Sequence, residues 1–168
     1  MATPIIKQVP PEYVGGKILF CGTDGRFYNA AGHAVKHTYS RYSQKNRPNM
    51  HSAYPMMRQY AHRLCHHLVY ETFVGPRTKG MEIDHINGNK LDWSLNNLRE
   101  ITPAENRRCA RYLRELNKLI PHHWQTFERE DYLRFYAMPL DEFKAMLAKY
   151  TNTATSPTDW DLTHHCEC

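Results

Sequence analysis

Ile83-Asp84-His85-Ile86-Asn87-Gly88-Asn89, then Asn96-Asn97-Leu98-Arg99-Glu100-Ile101, then Thr102-Pro103-Ala104-Glu105-Asn106 are the pieces of sequence that decide the fold. Met81-Glu82-Ile83 is a short apolar-alternating segment and predicts a strand. Asn87-Gly88-Asn89-Lys90 supplies turn residues, and Leu98 to Ile101 predicts the returning strand. Thr102 then stands at a helix N-cap, Pro103 at the first helical position and Glu105 at the third, which is a capping box with a favoured proline. The helix is predicted to run to about Leu119, because Pro121 disfavours helical geometry at Ile120. Strand, hairpin return and capped helix make a ββα unit.

Its polar residues are the ones that phosphodiester chemistry needs. Asp84 offers a carboxylate and Asn106 an amide carbonyl from the first turns of the helix. Two hard oxygens with open positions suit Mg²⁺ or Mn²⁺, which keep waters and take phosphate oxygens. His85 has an ordinary pKa near neutrality and can take a proton from water. A neutral imidazole needs its other nitrogen held, and the Asn97 carbonyl is expected to hold it. Neighbours on a regular strand face opposite sides, so Asp84 and His85 can share a site only where the strand ends or twists, just before Asn87-Gly88.

Working outward, Ile18-Leu19-Phe20-Cys21, Asp24-Gly25 and Arg26-Phe27-Tyr28 predict a hairpin, with Val35 to Tyr39 as a third strand. Residues 40–53 read as an exposed basic loop broken by Pro48. From about Arg63 to Phe73, Leu64, Leu68, Val69 and Phe73 recur with helical spacing, and Gly75-Pro76 ends the run. Within that helix His66 and His67 read as packing or cap residues. Beyond the ββα unit, Cys109, Tyr112, Leu113, Leu116 and Ile120 form the apolar face of the long helix. A further helix is predicted around Asp141 to Tyr150, and 151–168 is expected to be loosely ordered. The terminal His164-His165-Cys166-Glu167-Cys168 has metal-binding chemistry but is short, and reads as a chain end.

The 168 residues carry 22 Lys/Arg and 17 Asp/Glu, a net +5. Residues 1–80 hold 11 basic and 3 acidic residues, whereas 110–168 hold 7 and 9. Such asymmetry points to a polyanionic partner for the first half. Arg41, Lys45, Arg47 and Arg58 are the first candidates there, with Lys90 and Arg99 in the central stretch. Arg107, Arg111 and Arg114 form a stripe on the long helix, continued by Lys118. The acidic 110–168 suits a protein partner better than DNA. No apolar run approaches the ~18 residues of a membrane span. Five scattered cysteines and no apolar leader imply a reducing, cytoplasmic setting.

Residues 83–107 resemble the HNH endonuclease family. Its signature is Asp/His-His, a central Asn followed by Leu-Arg, and a final His or Asn on the helix. Upstream, Cys65-His66-His67-Leu68-Val69-Tyr70-Glu71-Thr72-Phe73-Val74-Gly75-Pro76 is similar to the His-Arg-Leu-Val helix of phage and intron-type members, with His67 where the pattern has Arg. The resemblance implies Asp84 and Asn106 as metal ligands, His85 as general base and Asn97 as its orienting partner. It also implies cleavage of double-stranded DNA to 5′-phosphate products by a phage-encoded, homing-type enzyme in a bacterial host. Asn106 in place of His speaks against a purely nitrogen-ligated zinc or nickel site, and the lack of CxxC pairs speaks against a structural zinc. A non-catalytic DNA-binding protein, or a component of a larger phage DNA-processing complex, is the competing reading.

The expected fold class is therefore α+β, a ββα-metal core with a basic, strand-containing N-terminal part and a helical C-terminal part. The expected division is 1–80 as the basic region, 81–120 as the catalytic core with its extended helix, and 121–168 as a helical extension and tail. One ββα unit cuts one strand per event, and the oligomeric state is left open.

Overall fold

A computed structural model describes residues 3–39, 54–120 and 127–153. The fold is α+β, as the ββα pattern predicts. Packing divides the chain into two units, Met1–Thr102 and Pro103–Cys168. Among the described residues no helix is long and apolar enough to cross a membrane.

The first unit is built on three small antiparallel sheets. Strands β1 (Ile6–Gln8), β2 (Leu19–Gly22) and β3 (Phe27–Asn29) form a sheet in chain order. The hairpin predicted at Asp24-Gly25 is present, with Cys21 opposite Phe27 and Leu19 opposite Asn29. Gly25 has φ +82°, a left-handed conformation that glycine enters freely. The third strand of this sheet is β1, which precedes the hairpin. Ala34, just before the segment expected to supply it, forms a single bridge to Tyr28. Thr38–Tyr39 is β4 of a second sheet, with β5 (Pro55–Met57) and β6 (Arg63–Leu64). Alternation over two or three residues is too short to say which strands pair, so these partners were not legible.

Helix α1 (Cys65–Phe73) follows β6 without a break. Arg63 and Leu64, read as the start of the helix, are strand residues paired with Met57 and Met56. The turn before them holds Ala61 at φ 55° and His62 at φ 54°. Two consecutive left-handed residues without a glycine cost of order 1–2 kcal/mol each. The sharp reversal they make delivers the chain into α1. The helix buries Cys65, Leu68 and Val69 against Val9, Val14, Leu19, Cys21, Phe27 and Met57. Each fully buried side chain of this kind contributes about 1.5–3 kcal/mol. Ile83 and Leu98 join the same core from β7 (Glu82–His85) and β8 (Leu98–Ile101), which pair antiparallel as the third sheet.

The second unit is helical. Helix α2 (Pro103–Leu119) starts at the predicted proline and buries Cys109, Tyr112 and Leu116, with Leu113 only half-buried. Two helices follow, α3 (Arg129–Ala137) and α4 (Leu140–Thr153). The sequence reading missed α3. Its signals are a capping box between Glu128 and Asp131 and the buried Tyr132, Phe135 and Tyr136 at helical spacing. Aromatic rings fill this core, with Tyr112 and Phe143 centred 5.2 Å apart and Phe135 and Phe143 5.3 Å. The Tyr112 hydroxyl donates to the Met138 carbonyl at 2.6 Å, which satisfies a buried polar group.

Candidate active site

Register fixes the centre of the site. Asp84 lies directly opposite Arg99, and His85, the last residue of β7, lies opposite Leu98. Asp84 is half-buried and His85 buried, as alternation on a strand requires. The Asp84 Oδ2 accepts hydrogen bonds from Arg99 Nε at 3.0 Å and Nη2 at 2.9 Å. Burial raises the Asp84 pKa above its ordinary value, and the Arg99 guanidinium works in the opposite direction.

His85 is 5% exposed, and its buried Nε2 has no hydrogen-bond partner among the described residues. Burial lowers its pKa to about 4, so the ring is neutral at pH 7. Its neighbours come from α1 and from before β5. The His66 ring is 4.8 Å away, edge to face, and the Tyr54 ring 6.2 Å. His66 and His67 touch in turn, at 4.3 Å. Burial holds His66 down to about 2 and His67 to about 4. The packing role expected for His66 and His67 is thus played against the candidate base itself. Tyr54, unremarked in the sequence, sits at the rim, 38% exposed, with the Lys90 ammonium 4.3 Å from its ring centre.

The loop between the strands is tied by side chains. Gly88 N–H donates to the His85 carbonyl at 2.8 Å, closing the turn that ends β7. The buried Asn97 accepts from Asn87 N–H at 3.0 Å and donates to Asn87 Oδ1 at 2.9 Å and to the Asp92 carbonyl at 2.8 Å. Its own carbonyl accepts from Ile86 N–H at 2.9 Å. The sequence reading put Asn97 against the imidazole; these bonds go instead to the loop that leaves His85, and Asn97 braces the backbone on either side of it. Trp93 Nε1 donates to the Gly25 carbonyl at 2.6 Å and pins the loop to the first hairpin. On α1 itself, the buried Glu71 carboxylate takes both Arg63 and Arg77, the latter at 2.9 Å.

The remaining predicted residues are placed as follows. Arg58 is exposed between β5 and β6. Asn106, half-buried, and the exposed Arg107, Arg111 and Arg114 lie on α2, in the second unit. Arg41, Lys45 and Arg47, like the terminal His/Cys tail, fall outside the described residues. Among the described residues no group of three or more His, Cys, Asp or Glu is placed to hold a metal ion.

Residues 60–108 match the family model described as HNH endonuclease. The matched stretch runs from the β5–β6 turn through α1, β7 and β8 into α2. A solved structure described as DNA binding and cleavage by the HNH homing endonuclease I-HmuI is similar at 20% identity and a TM-score of 0.46, over 68% of this chain and 67% of that one. No curated protein matches the chain.

Proposed function

We propose that the protein is a divalent-metal-dependent endonuclease that hydrolyses phosphodiester bonds of double-stranded DNA, of the phage-encoded homing type. The observation that carries the reading is a buried imidazole at the end of β7 whose Nε2 has no partner among the described residues, next in the chain to a half-buried carboxylate. An unsatisfied buried polar atom is costly, and in the tautomer that carries its proton on Nδ1 the Nε2 of a neutral imidazole is a proton acceptor.

His85 is the general base. It takes the proton of the attacking water as the water adds to phosphorus and the 3′-oxygen leaves. With its pKa near 4, the ring is a weak base but is wholly unprotonated at pH 7. An anionic phosphodiester beside it stabilises the imidazolium and raises its basicity when it is needed. Asn97 is a positioning residue, acting through the loop that it ties. Asp84 is a metal ligand, and the sequence pattern adds Asn106 as the second. This donor set fits an oxygen-preferring ion such as Mg²⁺ or Mn²⁺, which needs few protein ligands because it keeps waters and phosphate oxygens. When bound, such an ion stabilises the charge that develops on the phosphate and the leaving oxygen. Lys90, Arg58 and the exposed α2 arginines supply phosphate contacts, joined by Arg41, Lys45 and Arg47 of the basic sequence stretch 40–53. The acidic 110–168 stretch is open to a protein partner.

The test is incubation of supercoiled plasmid with Mg²⁺, with and without EDTA, for wild type and His85→Ala. The expected result is EDTA-sensitive relaxation or linearisation, reduced about 10²–10⁴-fold in the variant with DNA binding retained. Cleavage by His85→Ala at the wild-type rate, or undiminished cleavage in EDTA, overturns the assignment.

A further inference from the structure

We propose that Arg99 is an exchange residue: it holds the Asp84 carboxylate until duplex DNA arrives, then passes to a DNA phosphate, so that duplex and divalent ion bind cooperatively. The inference rests on the reading of Asp84 as a metal ligand.

The argument begins with register. Asp84 and Arg99 are directly opposite on β7 and β8, and opposite residues of an antiparallel pair emerge on the same face. The contact is a fork onto one atom, with Nε and Nη2 both on Oδ2 at 3.0 and 2.9 Å. The two side chains are 19% and 11% exposed, so water competes weakly for either. A divalent ion at this carboxylate therefore meets a guanidinium already on one of its oxygens. Ion and guanidinium compete for the same charge, and each is repelled by the other. Two other acids flank the pair on the same strands. Glu82 is exposed on the same strand, and Glu100 on β8 is taken up by the backbone N–H and hydroxyl of Thr78 at 2.7 and 2.8 Å.

A phosphate resolves the conflict. The guanidinium fork matches two oxygens of a phosphate as it matches a carboxylate, so Arg99 can change partners with little change in its donor geometry. Once Arg99 is on a phosphate, its charge is compensated there and Asp84 is released to the ion. By linkage, if duplex tightens ion binding, the ion tightens duplex binding by the same factor. On this proposal the DNA contact expected of Arg99 is the second of its two partners.

The experiment measures Mn²⁺ affinity directly, from the electron paramagnetic resonance signal of the free ion, for the full chain carrying His85→Gln so that added duplex stays intact. In that background, a random-sequence 20-base-pair duplex is expected to tighten Mn²⁺ binding by about 5–150-fold, the usual range of coupling between sites. Adding Arg99→Met is expected to tighten Mn²⁺ binding without DNA and to shrink the effect of duplex to below about two-fold. Arg99→Lys, which keeps the charge but loses the fork, should fall between and serves if the Met variant fails to fold. Mn²⁺ binding by either Arg99 variant that is unchanged or weaker without DNA, or duplex coupling that survives in it, overturns the exchange. Asp84→Asn separates the two readings: Mn²⁺ affinity that ignores Asp84→Asn removes the ligand assignment itself, whereas affinity that depends on Asp84 but not on Arg99 removes only the exchange.

Discussion

Mild acid should unfold the first unit well before ordinary carboxylates titrate, because α1 carries histidines that the fold keeps neutral. His66 is 4% exposed and its pKa is lowered from 6.5 to about 2; that of half-buried His67 is lowered to about 4. In both, burial is the leading cause, reinforced by neighbouring imidazoles and arginines. The unfolded chain binds protons at these positions as pH falls below 6.5, and the folded chain does not. Stability is therefore complete above about pH 6.5 and is lost progressively below it, until the folded pKa values are reached. At pH 5, 1.5 units below the unfolded pKa, a fully protected histidine contributes a loss of about 2 kcal/mol. His66 counts in full and His67 at about half, for its partial solvent screening, giving about 3 kcal/mol from α1, to which the buried His85 adds in the same sense. Asp84 acts in the opposite sense, since its raised pKa means that acid relieves the cost of its burial. A loss of 3 kcal/mol lowers the melting temperature of a unit of ~100 residues by about 12–24 °C. The assay is thermal denaturation followed by far-ultraviolet circular dichroism at pH 7.5 and pH 5.0 at fixed ionic strength, with His66→Phe alongside. The wild type should lose at least about 10 °C, and His66→Phe distinctly less. A wild-type melting temperature that moves by under about 4 °C would refute the reasoning.

Glu71→Gln should cost about 1.5–3 kcal/mol, because it removes the charge that Arg63 and Arg77 share while leaving both arginines partly able to find water; urea denaturation checks this, and an unchanged midpoint contradicts it. Gly25→Ala forces a side chain into φ +82° and sets a Cβ 2.7 Å from the Trp93 ring, so a loss above about 1–2 kcal/mol is expected by the same measurement. Asn97→Ala deletes three side-chain hydrogen bonds and should lower stability by about 2–3 kcal/mol and cleavage together, whereas His85→Ala should lower cleavage alone.

What could be read from the sequence is what depends on near neighbours. The hairpin at Asp24-Gly25, the strands flanking Asn87-Gly88 and the start of α2 at Pro103 each follow from two or three residues with a strong backbone preference. The pairing of β4 with β5, and of β1 with β2, depends on contacts between distant, very short strands and leaves no periodic trace. At the candidate site, the Asp84-His85 motif at a strand end was legible, but its surroundings were not. That His66 packs on His85, that Arg99 occupies Asp84 and that Tyr54 rims the site follow from how α1, β8 and the residues before β5 are brought together. Asn97 shows the limit most clearly. Its residue type suggested a partner for an imidazole, and only the loop's conformation shows that its amide is already committed to Asn87 and Asp92.

The knot around Asn87 also bears on how the protein ages. Asn followed by Gly is the pair most prone to spontaneous deamidation, in which the glycine nitrogen attacks the asparagine side-chain carbonyl. Here both partners are restrained: Gly88 N–H is bound to the His85 carbonyl, and the Asn87 amide bonds Asn97, Asp92 and the backbone N–H of Asn89. Intact fold thus acts as a preservative for the loop that ends β7. Should the reaction run its course, a new carboxylate would face Asp92 where an N–H now donates at 3.2 Å. The resulting repulsion would loosen the restraint on every remaining member of the knot, so that one chemical lesion of a single peptide unit would retire the site beside it.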